Sequence, residues 1–367
     1  MSATHGNSAA VVSRVYAPPV VALVLFGLER QHLIAAETAW VGALSGIVLL
    51  GSVFAAVHHA EVVALKAGEP FGSVLLALAV TVIEASLIVT SMLSGGASEN
   101  ALARDSVFAA VVTVLNGVVG LCLLVGGARY REQGFRVEGT ASSLSVLATL
   151  AVLTLVMPNY TLAKLGPQYS PTQLLFVGVL AMLLYFVFVF VQSVRHRDYF
   201  RAEDSSDLGE TPAPPSAGAT AVSGIMLIVS LLAVVLLAES LADSLERAIH
   251  AARLPPSFLG VVIATLVLLP ESVAAIKAAQ ANQLQTSLNL AIGSALATIG
   301  LTIPVVAGLS LYLGRELTLG LDAEGTAILL LTLFVSSLTL ATGRATILQG
   351  AVHLVIFGVF LLLAAAP

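Results

Sequence analysis

The chain has 367 residues, of which 58% are hydrophobic and only 10% charged, with a mean hydropathy of +0.99 and a formal net charge of −5. Soluble domains run at about 45–50% apolar and ~25% charged residues, so a soluble globular protein is excluded. The modest acidic balance also excludes a nucleic-acid binder built on a basic field. Cys122 is alone inside an apolar run, which rules out an intramolecular disulfide and makes it a buried structural thiol.

Taken from the N-terminus, Arg14 precedes an apolar run without a small-residue cleavage site, so no removable signal peptide is expected. Eleven apolar stretches then reach or approach the ~20 residues a spanning helix needs. They lie at about 17–29, 40–60, 72–94, 106–127, 141–159, 172–193, 221–241, 257–279, 286–312, 322–342 and 345–365. The first is the weakest, because Pro18 and Pro19 open it and Glu29 and Arg30 close it after a short run. A membrane β-barrel is excluded: the runs do not alternate with period two and are twice a barrel strand's length.

Between the sixth and seventh stretches, RHRDYFRAEDSSDLGETPAPPSAGAT (195–220) replaces apolar residues with charges, Pro, Ser and Gly. It reads as a cytoplasmic linker whose acidic cluster, Glu203, Asp204, Asp207 and Glu210, is either solvated or a regulatory cation site. The expected organisation is therefore an N-terminal segment with an extra helix (1–39), a first five-helix repeat (40–193), the linker (194–220) and a second five-helix repeat (221–367). With the N-terminus inside, ten Lys and Arg residues fall in inside loops against six outside, which favours a cytoplasmic N-terminus and an external C-terminus.

Two glutamates interrupt these spans: Glu84 in GSVLLALAVTVIEASLIVTSML (72–93) and Glu271 in SFLGVVIATLVLLPESVAAIKAA (257–279). Each lies roughly 18 Å into its segment at ~1.5 Å per residue, near the midplane of a ~30 Å hydrocarbon core. An ionisable group there is costly and marks function, and transporters keep their ion sites at this depth. The third and eighth spans are five apart, so they enter the membrane from opposite sides, and each is followed by a span with a polar inset. Those insets are Asn116-Gly117 in VVTVLNGVVGLCLLVGG and the run Asn289 to Thr298 in NLAIGSALATIGLTIP. The fold class read from this is an all-α polytopic membrane protein of about eleven spans, one extra helix plus two inverted-topology repeats.

Pro270 removes a backbone donor beside Glu271 and opposes helix at Leu269, so a broken helix with bare carbonyls is expected there. Two carboxylates in a low-dielectric setting cannot both stay ionised without a counter-charge, so they hold protons or a cation. That exclusivity is itself an exchange mechanism. Calcium wants ~6–8 oxygens, and Asn116, Asn289, Ser294, Thr298, carbonyls near Pro270 and water are candidate secondary ligands beside Glu84 and Glu271. Calcium is the favoured cation, and sodium or potassium with one proton retained is the alternative.

Other polar positions carry two readings each. His58 and His59 end the second span as a proton relay, a metal pair or interfacial anchors, and adjacent positions point to different sides of a helix. His353, inside the last span, is a proton-path residue or a hydrogen-bonded packing histidine. Glu239 and Asp243 share one face of the seventh span's outer end as a cation vestibule or a solvated helix end. Arg344 snorkels to the inner interface. There is no GxxxxGK[ST] loop, HExxH or intramembrane Asp pair, so neither nucleotide coupling nor intramembrane hydrolysis is expected.

GEPFGSVLLALAVTVIEASLI (68–88), ARDSVFAAVVTVLNGVVGLCLLVGG (103–127), PPSFLGVVIATLVLLPESVAAIKAAQANQLQTSLNLAIGSALATIGLTIPVV (255–306) and TGRATILQGAVHL (342–354) resemble the bacterial ChaA-type cation/proton antiporters of the cation/calcium exchanger superfamily. The resemblance covers nearly the whole chain. It implies exchange of calcium, sodium or potassium against protons in the cytoplasmic membrane, with Glu84 and Glu271 as shared ligands and Ser294 near the site. It implies no cofactor and no partner beyond membrane lipid and small inorganic cations. Calcium/proton exchangers set an Asn and small residues before the glutamate, whereas this chain has Val82-Ile83 and Leu269-Pro270. A cation channel with an acidic constriction is the alternative from a different class.

Overall fold

The structure, a computed structural model, describes residues 4–34, 38–68, 71–94, 101–201 and 215–366. Helices occupy all eleven expected places: α1 (Thr4–Arg30), α2 (Ala39–Ala67), α3 (Phe71–Ser94), α4 and α5 joined by a π-turn (Leu102–Val112, Thr113–Val118, Val119–Tyr130), α6 (Val137–Ala151), α7 (Pro171–Phe190), α8 (Ala217–Ala251), α9 (Phe258–Gln280), α10 and α11 joined by a second π-turn (Leu284–Ala297, Thr298–Thr302, Ile303–Leu313), α12 (Ala323–Leu340) and α13 (Ile347–Ala365). Two three-residue strands, β1 (Glu132–Gly134) and β2 (Arg344–Thr346), pair antiparallel. Among the described residues, nine helices are long and apolar enough to cross a bilayer. The protein is an all-α polytopic membrane protein, as its composition requires.

Three limits differ from expectation. Helix α1 begins at Thr4 and runs through Pro18 and Pro19 rather than starting there. Proline's fixed φ is helical and it forfeits only one bond, a loss neighbouring helices absorb in membrane bundles. Helix α8 continues to Ala251, ten residues past the apolar run, because Glu246, Arg247 and His250 extend it as a polar last turn and a half. The most informative difference is at Pro270, where α9 is continuous from Phe258 to Gln280 instead of broken. The proline still leaves the Leu266 carbonyl without an i→i+4 donor.

The chain divides into two compact units, residues 1–95 with 212–253, and 96–211 with 254–367. Both units draw on both expected repeats. In the first unit α2 packs along α8 and α1, with α3 alongside. Small residues set these approaches: a Cβ on Gly51 would come within 2.8 Å of Pro18, and one on Gly42 within 3.1 Å of Ser244.

The second unit carries inverted architecture in its hydrogen bonds. The stretch leaving α5 meets the start of α10, since Gln133 Nε2 donates to Ala279 O and Asn282 Oδ1, both at 3.0 Å. The stretch leaving α11 meets the start of α4, since Arg104 donates to Gly320 O at 3.3 Å. The α4–α5 and α10–α11 helices therefore run antiparallel. Two loop-to-loop clasps follow the same inversion. At one end β1, after α5, pairs with β2, before α13. At the other, the segment after α11 donates to the segment between α6 and α7, through Leu321 N to Leu155 O (2.8 Å) and Gly320 N to Pro167 O (3.0 Å). One repeat's third loop grips the other repeat's fourth loop on each face.

Candidate functional site

Glu84 and Glu271 occupy equivalent positions along their own helices. Each is the thirteenth residue past the first of its helix, α3 and α9 respectively, or roughly 20 Å along the axis. Glu84 is 2% exposed and flanked by buried Thr81, Ile83, Ala85 and Leu87. Glu271 is half-buried in the second unit, beside buried Pro270 and above Ser272, whose hydroxyl donates to Leu268 O at 2.6 Å. That bond turns the serine back on its own helix and leaves the carboxylate as the polar group α9 presents at this level.

The π-turn that follows α4 holds Asn116, and here the second unit has a polar interior. Asn116 Nδ2 donates to Thr332 Oγ1 at 2.8 Å, and Asn116 Oδ1 lies 3.0 Å from His353 Nδ1. His353 Nε2 lies 3.1 Å from Thr339 Oγ1. An amide oxygen only accepts, so His353 carries its proton on Nδ1, and the Thr339 hydroxyl donates to Nε2. Exposure is 0% for Asn116 and Thr332, 1% for His353 and 5% for Thr339. Asn116 and His353, singled out separately in the sequence, are thus direct partners.

The remaining expected residues fall elsewhere. Ser294 Oγ is buried without a hydrogen-bond partner among the described residues, and Ser294 shares a helical face with Thr298, the first residue of the second π-turn. Asn289 is engaged in packing: its Nδ2 donates to Phe200 O at 2.6 Å and its Oδ1 accepts from Gln285 at 2.9 Å. His58 is exposed, whereas His59 is buried in the first unit, 3.3 Å from Ser223 Oγ and edge-on to Tyr16. The adjacent histidines do point to different sides of α2. The acidic linker cluster at 203–210 and the side chains of Glu239 and Asp243 lie outside the described residues.

Sequence reading missed Thr332 and Thr339, whose seven-residue spacing puts two hydroxyls on one face of an apolar helix. It also missed a cavity of about 110 Å³ in the second unit, lined by Arg104, Asp105, Ser257, Asp322 and Glu324. Two of its three acids are already engaged: Asp105 pairs with Arg104 at 2.7 Å and Asp322 caps α12 through Gly325 N.

The family model for the sodium/calcium exchanger protein matches residues 38–194 and 222–366, omitting little beyond the N-terminal segment and the linker. Over 353 residues the chain is 49% identical to the putative ionic transporter y4hA of Sinorhizobium fredii, covering 95% of both chains. It is 35% identical over 347 residues to the sodium-potassium/proton antiporter ChaA of Escherichia coli, covering 94% of each. The fold is similar to that of native YfkE (TM-score 0.71, 17% identity, 94% of this chain and 96% of that one) and to that of the H+/Ca2+ exchanger CAX (TM-score 0.67, 15% identity, 92% and 89%).

Proposed function

The chain belongs to the sodium/calcium exchanger protein family, a family of membrane transporters rather than enzymes, and from that premise we propose that it moves a cytoplasmic cation outward against inward-moving protons, with the carboxylates of Glu84 and Glu271 binding either one. The observation that supports the proposal is the same position of the two glutamates along their helices, each thirteen residues past the first, in spans five apart in the chain. A carboxylate kept from bulk water needs a proton or a cation as counter-charge, and it cannot hold both at once. If only loaded forms change access between the two sides, the opposed flows are coupled without a nucleotide.

Calcium is the cation that neutralises both carboxylates at once. Its remaining oxygens come from the Leu266 carbonyl freed by Pro270, from Ser294 and Thr298, and from water. The similar proteins include a sodium-potassium/proton antiporter and an H+/Ca2+ exchanger, which supports calcium, sodium and potassium as the ions to compare. The bacterial relatives support the bacterial inner membrane, and the Lys and Arg distribution supports a cytoplasmic N-terminus and an external C-terminus.

The test is ion-resolved transport by purified protein in proteoliposomes with an imposed pH gradient. Cation flux that runs only with a countermoving proton supports the antiporter. Flux that persists without any countermoving ion replaces it with a channel.

A further inference from the structure

The buried row of Thr332, Asn116, His353 and Thr339 joins three membrane helices of the second unit, and the exchange chemistry above makes no use of it. We infer that His353 is a positioning residue: by holding the Asn116 amide it fixes the π-turn 113–118 against α9, so that cation affinity at Glu271 depends on a neutral hydrogen-bond donor at position 353 and not on a proton carried there. The inference deepens the reading of Glu271 as an ion-binding carboxylate and rests on it.

A π-turn widens the helix and takes its backbone out of the i→i+4 register, so its shape needs outside support. Asn116 lies inside that turn and is anchored by both of its amide atoms, through Thr332 and His353. The turn packs on α9, α10, α12 and α13. A shift of Asn116 is thereby passed to the helix that carries Glu271.

The seat for His353 is built for a close approach. A Cβ on Gly120 would come 3.0 Å from His353 Cβ and 3.3 Å from Gly350 O, and one on Gly350 would meet Leu124 N at 2.5 Å. The two glycines let α5 and α13 touch backbone to backbone and bring the imidazole to Asn116. Both ring nitrogens are engaged in the Nδ1–H tautomer, so the neutral ring is fully satisfied. Apart from His353, the row contains only neutral hydroxyls and an amide, with no acid to pass a proton to. That makes it an anchor and not a relay.

The test compares His353→Gln, His353→Leu and Thr332→Val with wild type in proteoliposomes, reading the cation KM, kcat and the pH profile of exchange, with Glu271→Gln alongside. A glutamine amide can still donate to Asn116, so His353→Gln is expected to keep the wild-type pH profile and a KM within about threefold. His353→Leu is expected to raise KM about tenfold or more with a smaller change in kcat, the scale on which partners that orient metal ligands act. Thr332→Val, a near-isosteric change that frees Asn116 Nδ2, is expected to raise KM in the same direction and covers the case in which His353→Leu does not fold. A His353→Gln protein as impaired as His353→Leu, with a flattened pH profile, would make His353 a proton carrier. Wild-type KM in Thr332→Val overturns the inference, as does wild-type KM in a folded His353→Leu protein, while loss of exchange in Glu271→Gln leaves the ion-site reading standing. Normal exchange by Glu271→Gln removes the premise and the inference with it.

Discussion

Pro270 sits inside a continuous α9, immediately before Glu271. Proline in a helix interior costs up to about 3 kcal/mol, so its presence beside the carboxylate is a stability sacrifice that leaves the Leu266 carbonyl open. Pro270→Ala is therefore expected to raise the thermal unfolding midpoint in detergent and to raise the cation KM, because the carbonyl is drawn back into the helix. An unchanged KM would remove that carbonyl from the ion's coordination. The glutamates were legible in the sequence because a carboxylate in an apolar span stands out by composition alone. The Asn116–His353 pair was not legible as a pair: the partners are 237 residues apart, and nothing local to either names the other. Thr332 and Thr339 were hidden for a different reason, since threonine in a membrane helix satisfies itself on its own carbonyls often enough to carry no signal.

At the scale of elements, the helices at the eleven expected places followed from hydropathy, while the devices that join them did not. Each clasp is built from a few loop residues whose composition is unremarkable, and three-residue strands have no periodicity to read. Gln133 is the sharpest test of the first clasp, because its buried amide donates to both Ala279 O and Asn282 Oδ1. Gln133→Leu should destabilise the protein by about 1–3 kcal/mol, the cost of leaving a buried acceptor unsatisfied, read as a lower unfolding midpoint. The opposite clasp carries a different kind of bond. Lys164 Nζ lies 3.0 Å from Glu316 and holds that carboxyl below its ordinary range, but the pair is exposed. A depressed carboxyl contributes stability that is present at neutral pH and lost as pH falls through the carboxylate range. Solvent screening makes that contribution small, so Glu316→Gln is expected to leave the midpoint unmoved at neutral pH. A large drop would show that the ion pair, and not the Leu321 and Gly320 backbone bonds, holds this clasp. Tyr169 does its work in the same region by donating to Leu153 O at 2.6 Å, and burial pushes its hydroxyl further above its ordinary range, so it stays a donor throughout the working pH range.

At the scale of the whole molecule, the repeats visible in the sequence and the compact units of the structure partition the chain differently, with each unit taking helices from both repeats. Hydropathy reports which segments cross the membrane but not which ones pack together, so the first division was readable and the second was not. Residues 202–218 lie outside the family match, and among the described ones only the last two belong to a helix, at the start of α8. Deleting them while keeping enough chain to join α7 to α8 is expected to leave exchange in vesicles intact and to alter at most its regulation. Complete loss of transport by a well-inserted deletion variant would place the segment in the mechanism.

In the function proposed above, protons and the cation compete for the carboxylates of Glu84 and Glu271. Equilibrium cation binding to purified protein between about pH 6 and pH 8.5, with Glu84→Gln and Glu271→Gln as controls, tests it most directly. Under such competition wild-type affinity is expected to rise with pH, and to rise more steeply if two protons leave per cation bound, while each variant binds weakly and loses the steepness. A wild-type affinity that does not change across that range, in protein whose transport is intact, would contradict it and place the proton elsewhere.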